Sequence, residues 1–109
     1  MTWKFKQIYS AVSKRSNLEL LRNSKHGLER ETLRVNRRAS LSQKPHPKEL
    51  GSSLTHPHIT TDFSEAQLEL VTPTFNTEKK ASDFLRQIHC FLGKNLPNEF
   101  LWPMSMPCH

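Results

Sequence analysis

Cysteine is scarce in this sequence. Cys90 and Cys108 stand alone, without a CxxC pair, which excludes a disulfide framework and a zinc knuckle. Long apolar runs are missing too, and no stretch approaches the ~20 residues that cross a bilayer. Met1 to Ser16 scatters Lys4, Lys6, Lys14 and Arg15 among its apolar residues, unlike the apolar core of a secretory signal. The expectation is a soluble, cytoplasmic chain without a membrane partner. Glycine numbers three and tyrosine one, and mean hydropathy is −0.66. With Gly counted and Tyr left out, apolar residues make up about 37% of the chain, against roughly 45–50% in a typical soluble domain. The 109 residues suit one small domain, which buries a smaller share of its surface than a large one. So little core material fits a piece of a larger fold. Acidic residues are the minority, 10 against 16 basic, for a net charge of +6. That surplus admits nucleic acid or a phosphate-rich ligand. Arg37, Arg38, Lys44 and Lys48 are not interleaved with aromatic residues, however, so a small basic nucleic-acid-binding module ranks last.

The pattern that is present reads as mixed α and β structure. Trp3 to Leu21 has helical spacing, with Ile8 and Val12 four apart and an interruption at Asn17 before Leu18 and Leu21. From Gly27 the period changes to two. Glu29, Glu31, Leu33 and Val35 share one side of a strand over about 28–35, and Leu28, Arg30, Thr32 and Arg34 share the other. A side that ends in Leu and Val is expected to enter a core or a cleft and to carry its two glutamates with it. Residues 36–58 hold Pro45, Pro47, Pro57 and Gly51 and read as a long loop, a length that is usually functional or disordered. Ile59 to Thr72 reads as a second strand, clearest over 64–72. Glu65, Gln67, Glu69 and Val71 lie on one face and Ala66, Leu68, Leu70 and Thr72 on the other; a helical phase would instead align Asp62, Glu65 and Glu69. Thr77 is a candidate N-cap for a helix over about 78–93, with Ala81, Phe84, Leu85, Ile88, Phe91 and Leu92 as its apolar stripe and Gly93 to Pro97 as its end. The tail from Phe100 shows no closing element.

Carboxylates are the chemistry-bearing feature. Residues two apart on a strand stand roughly 6.5–7 Å apart, so Glu29 and Glu31 can reach the same or neighbouring ions. Asp62, Glu65 and Glu69 follow on the next element. Inward carboxylates on adjacent strands repel one another and lose hydration, for which a divalent cation compensates. Oxygen-only ligands select Mg²⁺, Mn²⁺ or Ca²⁺ over zinc. The same residues also fit surface ion pairs among Glu29, Arg30, Glu31 and Arg34, which stabilise little. His46, His56 and His58 fit solvated loop histidines better than a zinc site. His89 and Cys90, adjacent on a helix, point different ways and make no catalytic pair.

Read as strings, Gly27-Leu-Glu-Arg-Glu-Thr-Leu-Arg-Val-Asn36, Leu50-Gly-Ser-Ser-Leu-Thr-His56, Ile59-Thr-Thr-Asp-Phe-Ser-Glu-Ala-Gln-Leu-Glu-Leu-Val-Thr-Pro73 and Trp102-Pro-Met-Ser-Met-Pro-Cys108 resemble bacterial glutamate–cysteine ligase, the first enzyme of glutathione synthesis. The resemblance implies an α+β chain, part of a glutamine-synthetase-like fold with an incomplete antiparallel sheet. It divides the chain into a leading helix over 1–26 and a family-like segment over 27–109, together the N-terminal portion of a catalytic domain. It implies ATP as co-substrate, L-glutamate and L-cysteine as substrates, a γ-glutamyl phosphate intermediate, and Mg²⁺, or Mn²⁺ in its place. By matching positions Glu29, Glu31, Asp62 and Glu69 are metal-site carboxylates, Phe63 borders the pocket for the cysteine side chain, and no residue acts as a catalytic nucleophile. Phosphoryl transfer needs positioning and charge neutralisation rather than a nucleophile from the protein, which agrees with such a set. Members of that family are far longer. The expectation is therefore that this polypeptide has no ligase activity alone, with an interaction piece that complements a separate ligase chain as the second reading.

Overall fold

The computed structural model describes residues 3–108. Two short helices, α1 (Trp3–Val12) and α2 (Arg15–Arg22), lead into a four-stranded sheet and one long helix. The strands are β1 (Glu29–Val35), β2 (Ile59–Asp62), β3 (Ser64–Val71) and β4 (Phe100–Leu101); helix α3 (Glu78–Asn95) precedes β4. The sheet order is β2-β3-β1-β4 and every pairing is antiparallel. This is the expected α+β architecture with an open sheet.

Period-two patterning decides the faces. Ala66, Leu68 and Leu70 of β3 and Ile59 of β2 are buried under α3, where they meet Ala81, Ile88 and Leu92. Leu50, from a 3-10 turn at Lys48–Leu50, and Leu96 complete the cluster, with Phe84, Leu85 and Leu101 packed against it. Thr77 caps α3 as its sequence suggests, accepting a hydrogen bond from the Lys80 amide. The helix runs two residues past its expected end and passes through Gly93, which is exposed and has nothing nearby for a side chain to meet. A helical glycine costs only about 1 kcal/mol, too little to stop a helix that is packed along its apolar stripe.

Several expectations change. Ile59–Thr72 is not one strand but a tight hairpin. β2 turns at Phe63, whose φ of +47° lies in the left-handed region, and returns as β3. The alternation over 64–71 holds, and the helical phase is excluded. The interruption in the leading helix falls at Ser13–Lys14 rather than at Asn17, which sits inside α2 and donates from its side-chain amide to the Ala11 carbonyl at 2.6 Å, bracing the corner. The tail does form an element: β4 pairs with the end of β1, and the Trp102 amide donates to the Leu33 carbonyl at 2.8 Å. The long loop is ordered by backbone hydrogen bonds and by buried Ser42 and Leu50.

The side of β1 that enters the core is also the other one. Thr32 and Arg34 are buried, whereas Glu29 and Glu31 are exposed; only Val35, at the end of their side, is covered. Arg34 is fully enclosed. Its guanidinium donates to Glu99 Oε1 (2.9 Å) and to the carbonyls of Lys44 (2.8 Å), Pro45 (3.3 Å) and Glu65 (2.9 Å), and the Ser42 hydroxyl also donates to Glu99. One side chain thus ties together β1, the loop, the start of β3 and the segment before β4. Expected surface pairing of Arg34 gives way to a buried, five-donor fork, the use for which arginine is suited.

Helices α1 and α2 bury no residue, and Trp3, Ile8, Tyr9, Leu20 and Leu21 are more than half exposed. The radius of gyration is accordingly 18.9 Å, against roughly 13 Å for a compact chain of this length. Among the described residues no helix is long and apolar enough to cross a membrane.

Candidate functional site

The face of the sheet turned away from α3 carries the carboxylates. Register places Glu31 directly opposite Glu69, and Thr60 opposite Glu69 on its other side. Directly opposed side chains stand about 4.5–5.5 Å apart at Cβ. Glu29 lies two residues along the same face of β1, opposite Val71. Asp62 lies two residues along β2 from Thr60, at the hairpin end, where its Oδ1 accepts from the Phe63 amide at 2.8 Å. The fold therefore pairs Glu31 with Glu69, flanks them on one face with Glu29, leaves Glu65 exposed beyond them on that face, and sets Asp62 at the hairpin end, where the register shift at Thr61/Asp62 takes it out of the alternation and opposite Ser64.

Two neutral donors serve the central pair. The Gln67 amide donates to Glu31 Oε2 at 3.0 Å, and the Thr60 hydroxyl to Glu69 Oε2 at 3.4 Å. Neither neutralises charge. Like charges directly opposite on paired strands are destabilising, more so as water is excluded. An oxygen-only donor set of this kind suits a hard divalent cation. Among the described residues, no three Asp, Glu, His or Cys side chains converge closely enough to hold an ion by themselves. The donor chemistry fits a metal whose remaining ligands come from elsewhere.

The tail reaches the same face. A cleft of ≈ 340 Å³ runs from Glu31 and Gln67 to Trp102, Met104 and Met106, and the Trp102 indole N–H donates to the Met106 carbonyl at 2.6 Å, folding the tail back. Phe63, at the hairpin tip, is 98% exposed. An exposed aromatic ring on a strained backbone serves no folding purpose, and such outliers cluster at functional sites.

The loop histidines are half-buried, and His56 and His58 are hydrogen-bonded, rather than freely solvated as expected. His56 Nδ1 accepts from the amides of His58 (3.1 Å) and Ile59 (2.9 Å), and Gly51, at φ +83°, passes so close that a Cβ there would lie 3.1 Å from the His56 ring. His58 Nδ1 donates to the Val71 carbonyl, and its ring meets Phe84 edge-on. These are loop-ordering roles. His89 is half-buried and its Nε2 accepts from Arg30 at 2.9 Å, which requires a neutral ring; burial and then the Arg30 charge hold its pKa below the ordinary value. Cys90, beside it, is exposed. The sequence reading missed the Arg34–Glu99–Ser42 network, although the side of Arg34, shared with Thr32, was readable from the alternation.

Comparison with known proteins places the fold in a family. Residues 9–109 match the family model described as glutamate-cysteine ligase, so the likeness reaches into α1 rather than beginning at Gly27. The glutamate–cysteine ligase of Wigglesworthia glossinidia brevipalpis is 52% identical over 94 residues, which is 86% of this chain and 19% of that protein. That of Pseudomonas aeruginosa strain UCBPP-PA14 is 50% identical over 93 residues, 85% of this chain and 18% of that protein. Among solved structures, the Francisella tularensis glutamate–cysteine ligase in complex with AMP superposes with a TM-score of 0.72 at 43% identity, covering 74% of this chain and 16% of that one. A bifunctional glutathione synthetase from Pasteurella multocida gives 0.78 at 37% identity, covering 88% and 13%. The chain thus spans under a fifth of the length of the relatives it matches. An open carboxylate face, a tail folded beside it and half-identity along most of the chain converge on one conclusion: this chain belongs to the glutamate–cysteine ligase family.

Proposed function

We propose that this chain supplies the carboxylate-bearing wall of an ATP-dependent glutamate–cysteine ligase centre, which joins the γ-carboxylate of L-glutamate to the amine of L-cysteine through γ-glutamyl phosphate in the cytoplasm. The observation that carries the reading is the register of β1 and β3, which sets Glu31 against Glu69 with Glu29 on the same open face and leaves Asp62 at the adjoining hairpin end. In this reading those four residues hold Mg²⁺, or Mn²⁺ in its place. The metal supplies neutralisation of phosphate charge, the dominant requirement of phosphoryl transfer. The chain's own part is to keep anionic oxygens fixed on a rigid sheet, with Gln67 and Thr60 orienting the two central carboxylates. Phe63, presented at the hairpin tip, borders the pocket for the cysteine side chain. That the Francisella relative is found in complex with AMP supports a nucleotide as co-substrate.

The test is a Mn²⁺ titration of the folded chain followed by paramagnetic line broadening. Signals of Glu31 and Glu69 should broaden first, well before those of Glu78 and Asp83 on α3, and Glu31→Gln should abolish the preference. Even broadening over all carboxylates would refute the site. These 109 residues alone are expected to form no γ-glutamylcysteine from ATP, glutamate and cysteine, and detectable product would overturn that.

The bare apolar residues of α1 and α2 favour a second reading, in which the chain completes a ligase carried on a separate polypeptide. Activity appearing only in the mixture of the two would support it; activity unchanged by adding this chain would exclude it.

A further inference from the structure

We propose that the cleft between the Lys44–Glu49 segment and the end of α3 is a binding site for a small phosphorylated anion, on the side of the sheet opposite the carboxylates. The cleft has a volume of ≈ 550 Å³, within the range of about 300–1,000 Å³ typical of small-molecule sites. Its charge is uneven. Lys44, Lys48 and Lys94 line it, and none pairs with a carboxylate among the described residues. Lys44 Nζ commits one proton to the Pro97 carbonyl at 3.4 Å and keeps two free. Lys94 stands in the last turn of α3 and offsets the partial negative charge of that helix end. Of the two glutamates on the lining, Glu99 is already held by Arg34 and Ser42, leaving Glu49 as the opposing charge. The balance stays positive.

A second, independent observation lies in the same wall. Both ring nitrogens of His46 are closed to solvent and neither has a partner at full hydrogen-bond geometry, with only a weak interaction from the Gly51 backbone. An orphaned polar atom costs roughly 1–3 kcal/mol, so the ring gains from a ligand that can accept its N–H. Burial, and then the Arg34 charge, hold its pKa below the ordinary value; the Gly51 backbone and Glu65 act in the opposite sense and His56 in the same one. The ring is therefore neutral at pH 7 and offers one donor and one acceptor. Three lysines lining the same cleft as a neutral donor suit a phosphate, whose charge near −2 is matched by point charges rather than by a planar fork.

Nuclear magnetic resonance on the full chain tests the site, with inorganic pyrophosphate as the probe and chelator present so that no divalent metal bridges it to the carboxylate face. Saturable one-site shifts are expected at the His46 ring and at the Lys48 and Lys94 amides, with the His46 pKa rising as the anion binds. Lys48→Gln with Lys94→Gln should weaken binding by about tenfold or more, the scale of two exposed charge pairs. Lys79→Gln with Lys80→Gln, at the other end of α3, should leave it unchanged. All of these lysines are exposed, so the fold survives their replacement. Unsaturable shifts over every basic side chain, equal affinity in the cleft variant, or shifts at Glu31 and Gln67 instead would overturn the proposal. None of these outcomes bears on the metal-dependent reading of the opposite face.

Discussion

Replacing Arg34 by Met probes the fold at its most enclosed polar point. The variant leaves the Glu99 carboxylate buried with only the Ser42 hydroxyl, and takes a donor away from the carbonyls of Lys44, Pro45 and Glu65. Breaking a buried pair from one side costs about 3–5 kcal/mol. A chain of this size is stable by roughly 5–15 kcal/mol, and this one lies low in that range because α1 and α2 contribute no burial. A loss of about 4 kcal/mol then consumes most of the margin. At a urea dependence of about 1.5 kcal/mol per M, the unfolding midpoint followed by far-ultraviolet circular dichroism should fall by roughly 2.5 M. The double variant Arg34→Met with Glu99→Leu removes the stranded charge and should be more stable than Arg34→Met alone, since apolar replacement of a whole buried pair is often neutral. Arg34→Lys should resemble Arg34→Met, because an ammonium cannot reach carbonyls on three segments at once. A loss below about 1 kcal/mol for Arg34→Met, or strict additivity in the cycle, would refute the reasoning.

Acid should destabilise the chain early. His89 and His46 have folded pKa values below their ordinary 6.5, so the unfolded state binds protons first, and stability falls as pH drops through 6.5 and below; His89→Gln, which can still accept from Arg30, should flatten that slope in urea titrations at stepped pH. Phe63→Gly should leave stability unchanged or raise it by about 1 kcal/mol, because the ring is exposed and glycine relieves the positive φ, yet the matching change in a complete homologous ligase should raise KM for cysteine; a clear loss of stability would assign Phe63 to folding instead. Glu29→Gln in a complete homologous enzyme should lower kcat by about 10²-fold or more, and near-normal turnover at saturating Mg²⁺ would remove Glu29 from the metal set.

Legibility followed the physics of each segment. The α3 stripe and the alternation of β3 were readable because burial on one side leaves a period in the sequence, and both elements fall within two residues of expectation. The hairpin at Phe63 was not, since its turn uses a phenylalanine in a left-handed conformation where Gly or Asn would have signalled it. The core side of β1 was misjudged because Leu33 and Val35 outweighed Arg34, and an arginine at 0% exposure is intelligible only once Glu99, far along the chain, is seen beside it. The carboxylates stood out as a set, but their convergence depends on which residue faces which. That is a property of register, and only the paired strands reveal it: Glu31 opposite Glu69, with Asp62 displaced by the irregularity at Thr61/Asp62.

The Arg34 fork also orders events in time. Residues Ile59 to Val71 can fold back on themselves as soon as they exist, and β1 can then zip onto β3, both with short or moderate loops to close. Glu99 is 65 residues from Arg34, so that partner reaches the guanidinium only when the end of α3 and the β4 segment arrive, after the nearer carbonyls of Lys44, Pro45 and Glu65. Closure of the Arg34–Glu99 pair is then expected to follow the rate-limiting barrier. Substitutions at Glu99 should therefore shorten the lifetime of the folded chain while scarcely altering how fast it forms.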